Sequence, residues 1–338
     1  MHTSRKLTHA LMALVALVVL ASAAMAQNIG PGTLPGTNAM VSDQKAGSVL
    51  FYTYYQSSTS SNLNTRINIT NTNPLATAFV HVWFQASCTP ADAFLCLTPS
   101  QTLSFTTLDF DPDAAGYIVA IAVNPVTGCP VRYNWLIGDE FLRISGGFTA
   151  NLGAEAVAAR FGVFDGDVIN GCGVASSNAT LVFDGGTGTS SYDALGGVLA
   201  VDNFPSLLDG NAIRLIVQVP QGNFSGTTAN TVSIFAILYD EAEQPFSLVF
   251  TVSCASPIVN FSATSPRVLG GGLNQVVGIG RTGWMRFYDS TGARAMIGAV
   301  LINNTGTGSN AFSGGHTLHK LTLLGTNIIS IPIFPPGC

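Results

Sequence analysis

The chain has 338 residues, 47% of them hydrophobic and only 9% charged, with 13 Lys and Arg against 18 Asp and Glu. A net charge of −5 excludes the basic footprint of a nucleic-acid binder. Ordinary soluble domains are about 25% charged, so here Ser, Thr, Asn and Gly must keep the surface wet.

Residues 1–26 hold Arg5 and Lys6, an apolar run from Leu11 to Ala21, and the triplet Ala24, Met25, Ala26. That order predicts a secretory signal peptide cleaved after Ala26, since the apolar run is too short to span a bilayer. The mature chain is expected to be secreted, periplasmic or extracellular, with no membrane anchor after processing. Residues 27–46 are rich in Gly, Pro and Thr without periodicity and predict a flexible N-terminal arm.

Beyond residue 47, short segments rich in β-branched and aromatic residues recur at 48–56, 65–71, 77–85, 102–108, 116–123 and 131–137. Turn clusters such as Asn71-Thr72-Asn73-Pro74 separate them, as in a sandwich or barrel. Good helix formers at Ala154, Glu155, Ala156, Ala158 and Ala159 predict one short helix over 152–160. Strands are expected again at 180–184, 212–219, 231–239, 246–253, 274–278, 284–288, 295–302, 317–323 and 327–333. The stretch 185–210 reads as a long surface loop. Several first-half segments find counterparts roughly 150 residues later, such as 65–71 with 212–219 and 79–84 with 234–239. The expected fold class is all-β: two tandem β-sandwich modules, Ig-like or jelly-roll-like, over 47–150 and 151–338, with the short helix between them. Proteolysis is expected first in the arm or in 185–210, then near 147–160.

Six cysteines in an exported chain predict disulfides. Cys88 and Cys96 flank a short loop, which predicts a bond between them at little cost in chain closure. Cys129 with Cys172 is a second expected pair, and the other partners stay open.

Histidine is scarce. Beyond residue 26 there are only His81, His316 and His319, and no G-x-S-x-G elbow, so Ser-His-Asp chemistry is not expected. On one continuous strand His316 and His319, three apart, would face opposite ways and grip a metal poorly. A carboxylate-dependent hydrolase needs two placed acids, for which Asp139, Glu140, Asp240, Glu241 and Glu243 are available. Asp109, Asp111 and Asp113 alternate in a loop and form a candidate calcium site, the only cofactor expected; Asp165 and Asp167 are a poorer one. No catalytic residue is assigned.

Two rows of side chains are candidate ligand platforms. Phe79, His81 and Trp83 share one face of a predicted strand, and Trp284, Arg286 and Tyr288 repeat the pattern. When exposed, such rows give sugar rings a flat apolar seat.

The runs Lys45 to Phe51, Asn64 to Pro74 and Leu136 to Glu140 resemble uncharacterised exported β-rich proteins of environmental bacteria, over most of the mature chain. The resemblance implies export and a bacterial source, and carries no activity. The expected function is a secreted, non-enzymatic surface protein with a structural, matrix or adhesive role. The alternatives are a glycan-binding module and a secreted hydrolase. The expected partner is a glycan or protein at the cell surface.

Overall fold

The computed structural model describes residues 40–226, 231–268, 271–306 and 312–337. The predicted signal peptide and most of the arm lie outside the described residues. Among the described residues, every regular element is a strand or a short 3-10 turn, and no helix is long and apolar enough to cross a membrane.

The first half of the chain gives nine strands: Val49–Gln56 (β1), Asn64–Asn71 (β2), Ala78–Ala86 (β3), Thr89–Leu97 (β4), Thr102–Thr106 (β5), Ala115–Ala122 (β6), Leu136–Ile144 (β7), Phe148–Gly153 (β8) and Glu155–Val157 (β9). Asn178–Phe183 (β10) and Ser191–Tyr192 (β11) follow, then Gly196–Pro205 (β12), Asn211–Gln218 (β13), Gly222–Asn223 (β14), Thr231–Tyr239 (β15), Pro245–Ser253 (β16) and Ile258–Phe261 (β17). The chain closes with Thr282–Asp289 (β18), Ile297–Asn304 (β19), Phe312–Thr317 (β20), His319–Leu323 (β21) and Asn327–Pro332 (β22).

Four antiparallel sheets carry the architecture. The first is ordered β4-β3-β6-β1-β9 and the third β16-β15-β18-β12-β21, while the second is β5-β2-β7-β8 and the fourth β17-β13-β19-β20. Strand for strand, the third repeats the first and the fourth repeats the second. Even the irregularities repeat: β1 slips register on β6 between Tyr52 and Tyr55, and β12 slips on β18 between Val201 and Phe204. Opposite these bulges stand Gly116 and Gly283. A Cβ there would lie 1.9 Å from the Gln85 carbonyl oxygen and 2.3 Å from that of Tyr239, so the strands can close only around glycine.

Apolar cores join the sheets face to face. Leu50, Val80 and Ile118 meet Ile67 and Ile69 between the first and second sheets. Leu142, Ile144 and Phe148 meet Ile216 and Leu301 between the second and fourth. Leu215 and Val300 meet Ile234, Met285 and Phe287 between the fourth and third. The third sheet returns to the first through the buried Lys320–Glu155 ion pair and the Cys88–Cys254 disulfide. The four sheets thus stand as the blades of a four-bladed β-propeller. A small fifth sheet, β11-β10-β22-β14, covers the other face of the first, where Leu181, Phe183, Ile329 and Ile331 pack on Phe51, Trp83 and Val119.

This arrangement overturns the expectation of two β-sandwich modules linked by a helix. The core between the second and fourth sheets is continuous across the expected joint, and the fifth sheet takes strands from widely separated parts of the chain. The expected helix over 152–160 is β8 and β9. Leu152, Ala154, Glu155, Ala156 and Val157 are all buried, and burial between sheets outweighs the weak helical preference of Ala and Glu. The expected surface loop 185–210 contains β12, a central strand, because Val198-Leu199-Ala200-Val201 is a fully buried run. The arm is docked from Met40 onward: Met40 bridges to Ala194, Ser42 to Ala156, and Val41 is buried in the core. The expected strand 274–278 is a 3-10 turn over Leu273–Gln275.

Cys88 pairs with Cys254 and not with Cys96, which correction has a plain cause: Ser87 and Cys88 form the tight turn of the β3-β4 hairpin, and β4 carries Cys96 away along the sheet. Cys96 is disulfide-bonded as well, and Cys129 pairs with Cys172. Bonds of this kind fit an oxidising compartment outside the cytoplasm.

Candidate functional site

The two aromatic rows have different fates. On β3, His81 and Trp83 are buried: His81 stacks on Phe94 at 4.1 Å, and Trp83 packs on Phe224 and Phe334. Trp83 and Phe79 belong to the core beneath the fifth sheet. His81 Nε2 lies 2.9 Å from Asp92 Oδ2, yet burial holds its pKa below the usual imidazole value against that carboxylate. This row is not an open platform.

The second row is partly open, at Trp284. Alternation on β18 turns Met285 and Phe287 into the core and Trp284 outward on the third sheet, with Arg286 half-buried on the same face and Tyr288 half-buried against the core. Antiparallel pairing sets Trp284 beside Tyr239 and Tyr288 beside Phe235 on β15. The Tyr239 and Trp284 rings stack at 4.6 Å with 8° between planes, Phe235 and Tyr288 sit 5.5 Å apart, and the Arg286 guanidinium lies 5.8 Å from the Tyr239 ring centre. Trp284 is 38% exposed and Val249 on the neighbouring β16 is 56% exposed. The sequence pattern marked Trp284, Arg286 and Tyr288. It missed Tyr239 and Phe235, which come from a strand about 50 residues earlier and meet them only through sheet register.

The acids do not assemble. Asp139 accepts a hydrogen bond from Asn68 at 2.8 Å, while its neighbour Glu140 points into the core and accepts the Thr53 N–H at 3.2 Å. Burial pushes the Glu140 carboxyl well above the carboxylate range, only partly offset by the N–H groups of Thr53 and Tyr54. Asp240 accepts the N–H groups of Ala242 and Gln244 in the β15-β16 turn, Glu241 pairs with Arg281 at 3.3 Å, and Glu243 sits at a positive φ of 61°.

Asp109, Asp111 and Asp113, the candidate calcium ligands, likewise take separate partners. Asp109 caps Thr106, accepting from its N–H and hydroxyl at 3.1 and 2.7 Å. Asp111 accepts the Tyr55 hydroxyl, and Asp113 accepts the Thr59 N–H and hydroxyl, both at 2.7 Å. Asp165 accepts the Trp135 indole N–H at 2.6 Å and Asp167 the N–H groups of Val163 and Phe164.

One polar constellation was not foreseen. His316 and His319 do not lie on one continuous strand, because the chain leaves the fourth sheet after β20 and enters the third as β21, with the buried Leu318 at the step. The step resets the two-residue alternation and turns both imidazoles to the same side, ring centres 6.0 Å apart. Between them stands Asp202, pushed outward by the β12 bulge, with its carboxylate oxygens 3.1 Å from His316 Nε2 and 3.3 Å from His319 Nε2. Among the described residues this is the group of three whose potential ligand atoms converge, all within 4.8 Å of one another.

No known protein family matches the chain, and no curated protein matches it.

Proposed function

We propose that this protein works outside the cytoplasm as a non-enzymatic interaction module of the cell surface or matrix, and that it holds glycans on the outer face of the third sheet. The observation that carries this reading is the stacked Tyr239–Trp284 pair with Arg286 beside it. Stacked rings held by a rigid sheet present their edges and uncovered faces to a sugar at little entropic cost, and a guanidinium beside them supplies hydrogen-bond donors for hydroxyl or carboxylate groups. The dispersal of Asp139, Glu140 and Glu243 supports a binding role over hydrolysis.

An oligosaccharide array probed with the purified chain, followed by calorimetry on the retained sugars, tests it. Trp284→Ala and Tyr239→Ala should each weaken binding about tenfold, equivalent to about 1.4 kcal/mol. Retention by no glycan, or retention indifferent to both changes, would discard the reading.

A further inference from the structure

The geometry points to a divalent transition-metal site at Asp202, His316 and His319, taking zinc or a similar first-row ion and tying the β12 bulge to the step between β20 and β21.

Three observations converge on it. First, the hydrogen on the His316 ring is placed by its surroundings. His316 Nδ1 lies 2.9 Å from the Thr317 carbonyl oxygen, which can only accept, so Nδ1 carries the hydrogen. In the neutral ring the lone pair of Nε2 then points at an Asp202 carboxylate oxygen, itself an acceptor, 3.1 Å away. A cation between them satisfies both, and a donated ring N–H to a backbone carbonyl is the arrangement that metal-bound histidines adopt.

Second, the spacings suit the ion. Bonds of about 2.0 to 2.1 Å arranged tetrahedrally put neighbouring ligand atoms roughly 3.4 Å apart. His316 Nε2 lies 3.1 Å from Asp202 Oδ1 and His319 Nε2 3.3 Å from Asp202 Oδ2, and one ligand atom from each residue falls within 4.8 Å of the others, a spread that small side-chain rotations close onto an ion. Two imidazoles and one carboxylate form a donor set for zinc, cobalt or nickel, and not for calcium.

Third, the framework fixes the ligands before any ion arrives. Ala200 pairs with His319 across β12 and β21, and continuing that register sets Asp202 beside Thr317, between the two histidines. The Thr317 hydroxyl donates to Asp43 at 2.9 Å, which anchors the step to the docked N-terminal segment. Within the internal repeat, Ala154 N–H bonds to Gly138 as Leu318 N–H bonds to Gly298, so Leu152 and Glu155 occupy the places of His316 and His319. Thr53 lies at the place of Asp202, in the β1 bulge. The first half thus has the same backbone without the ligands, and the second half alone has the site. The three ligands are roughly half exposed, leaving room for a water or an external ligand to complete the coordination shell.

The test uses the full chain freed of metal by chelator and titrated with zinc chloride in a calorimeter, with cobalt chloride followed by visible absorption. The expected result is one ion per chain with a dissociation constant on the order of 1 µM. Asp202→Asn and His319→Gln should each weaken binding tenfold or more. Independently of any variant's folding, two-dimensional NMR of the unmodified chain supplies a second readout: zinc should move the ring signals of His316 and His319 and leave those of His81 in place. Absence of saturable binding up to about 1 mM, or binding unchanged in both variants, overturns the site, as does a zinc response centred on His81. If the histidines instead respond only to pH, the cluster is an imidazolium–carboxylate pair and the proposal fails.

Discussion

Lys320 Nζ lies 2.6 Å from Glu155 Oε1, with both side chains buried, and the pair joins β21 of the third sheet to β9 of the first. Burial raises the Glu155 carboxyl and the ammonium beside it pulls it back. Removing one partner strands a buried charge, which costs about 3–5 kcal/mol, whereas an apolar pair of similar volume comes close to neutral. Lys320→Met and Glu155→Gln should each lower the denaturant midpoint strongly, and Lys320→Met combined with Glu155→Leu should recover most of the loss. Equal losses in the single and double variants would mean that the pair is not what joins these sheets.

Glu140 predicts a pH dependence. Its folded-state pKa lies above the ordinary value of 4.5, so the folded chain keeps a proton that the unfolded chain releases. The stabilisation is fully present below 4.5 and is lost as pH rises through the folded value. Glu140→Gln should therefore melt higher than the unmodified chain at pH 8 and close to it at pH 4. A gap that is the same at both pH values would contradict this.

The glycines opposite the two bulges should respond alike. Gly116→Ala and Gly283→Ala each force a Cβ onto a backbone carbonyl that cannot move aside, costing about 1–3 kcal/mol or more. Chemical denaturation measures this; tolerance at either position would show that the repeated bulge gives way.

The Asp111 carboxylate accepts the Tyr55 hydroxyl. Asp111→Ala should cost about 1–3 kcal/mol by leaving that buried hydroxyl unpaired, equally in calcium and in chelator. A melting curve that rises with calcium only when Asp111 is present would restore the cation reading.

Mapping of unreduced peptides should join Cys88 to Cys254 and Cys129 to Cys172. Replacing Cys88 and Cys254 by Ser should cost about 2–4 kcal/mol, because the bond closes a long loop in the unfolded chain. Recovery of a Cys88–Cys96 peptide would refute the pairing.

Local pattern carried much of the strand content: β15 spans the residues 231–239 that its alternation marks, and β1, β3, β6 and β22 fall within a residue or two of their expected bounds. What failed depended on long-range partners. Ala154 to Val157 look helical alone and become strand because two sheets enclose them. β12 looked like loop because its glycines and turn residues outweighed a buried apolar run of only a few residues. Trp83 and Trp284 sit in equally aromatic strands, yet only the first is roofed, by strands much later in the chain. A two-residue period gives His316 and His319 opposite faces, and the step at Leu318 interrupts that period.

The strand β22 sits between β10 and β14 in the sheet that roofs the Trp83 row, and it is the last in chain order among the described strands. About 144 residues separate the end of β10 from its start, roughly 7–30 s of synthesis at 5–20 residues per second. Throughout that interval the first sheet has one wet aromatic face. Sealing of that face therefore depends on pairing between residues far apart in sequence, which forms late because a long loop must close first.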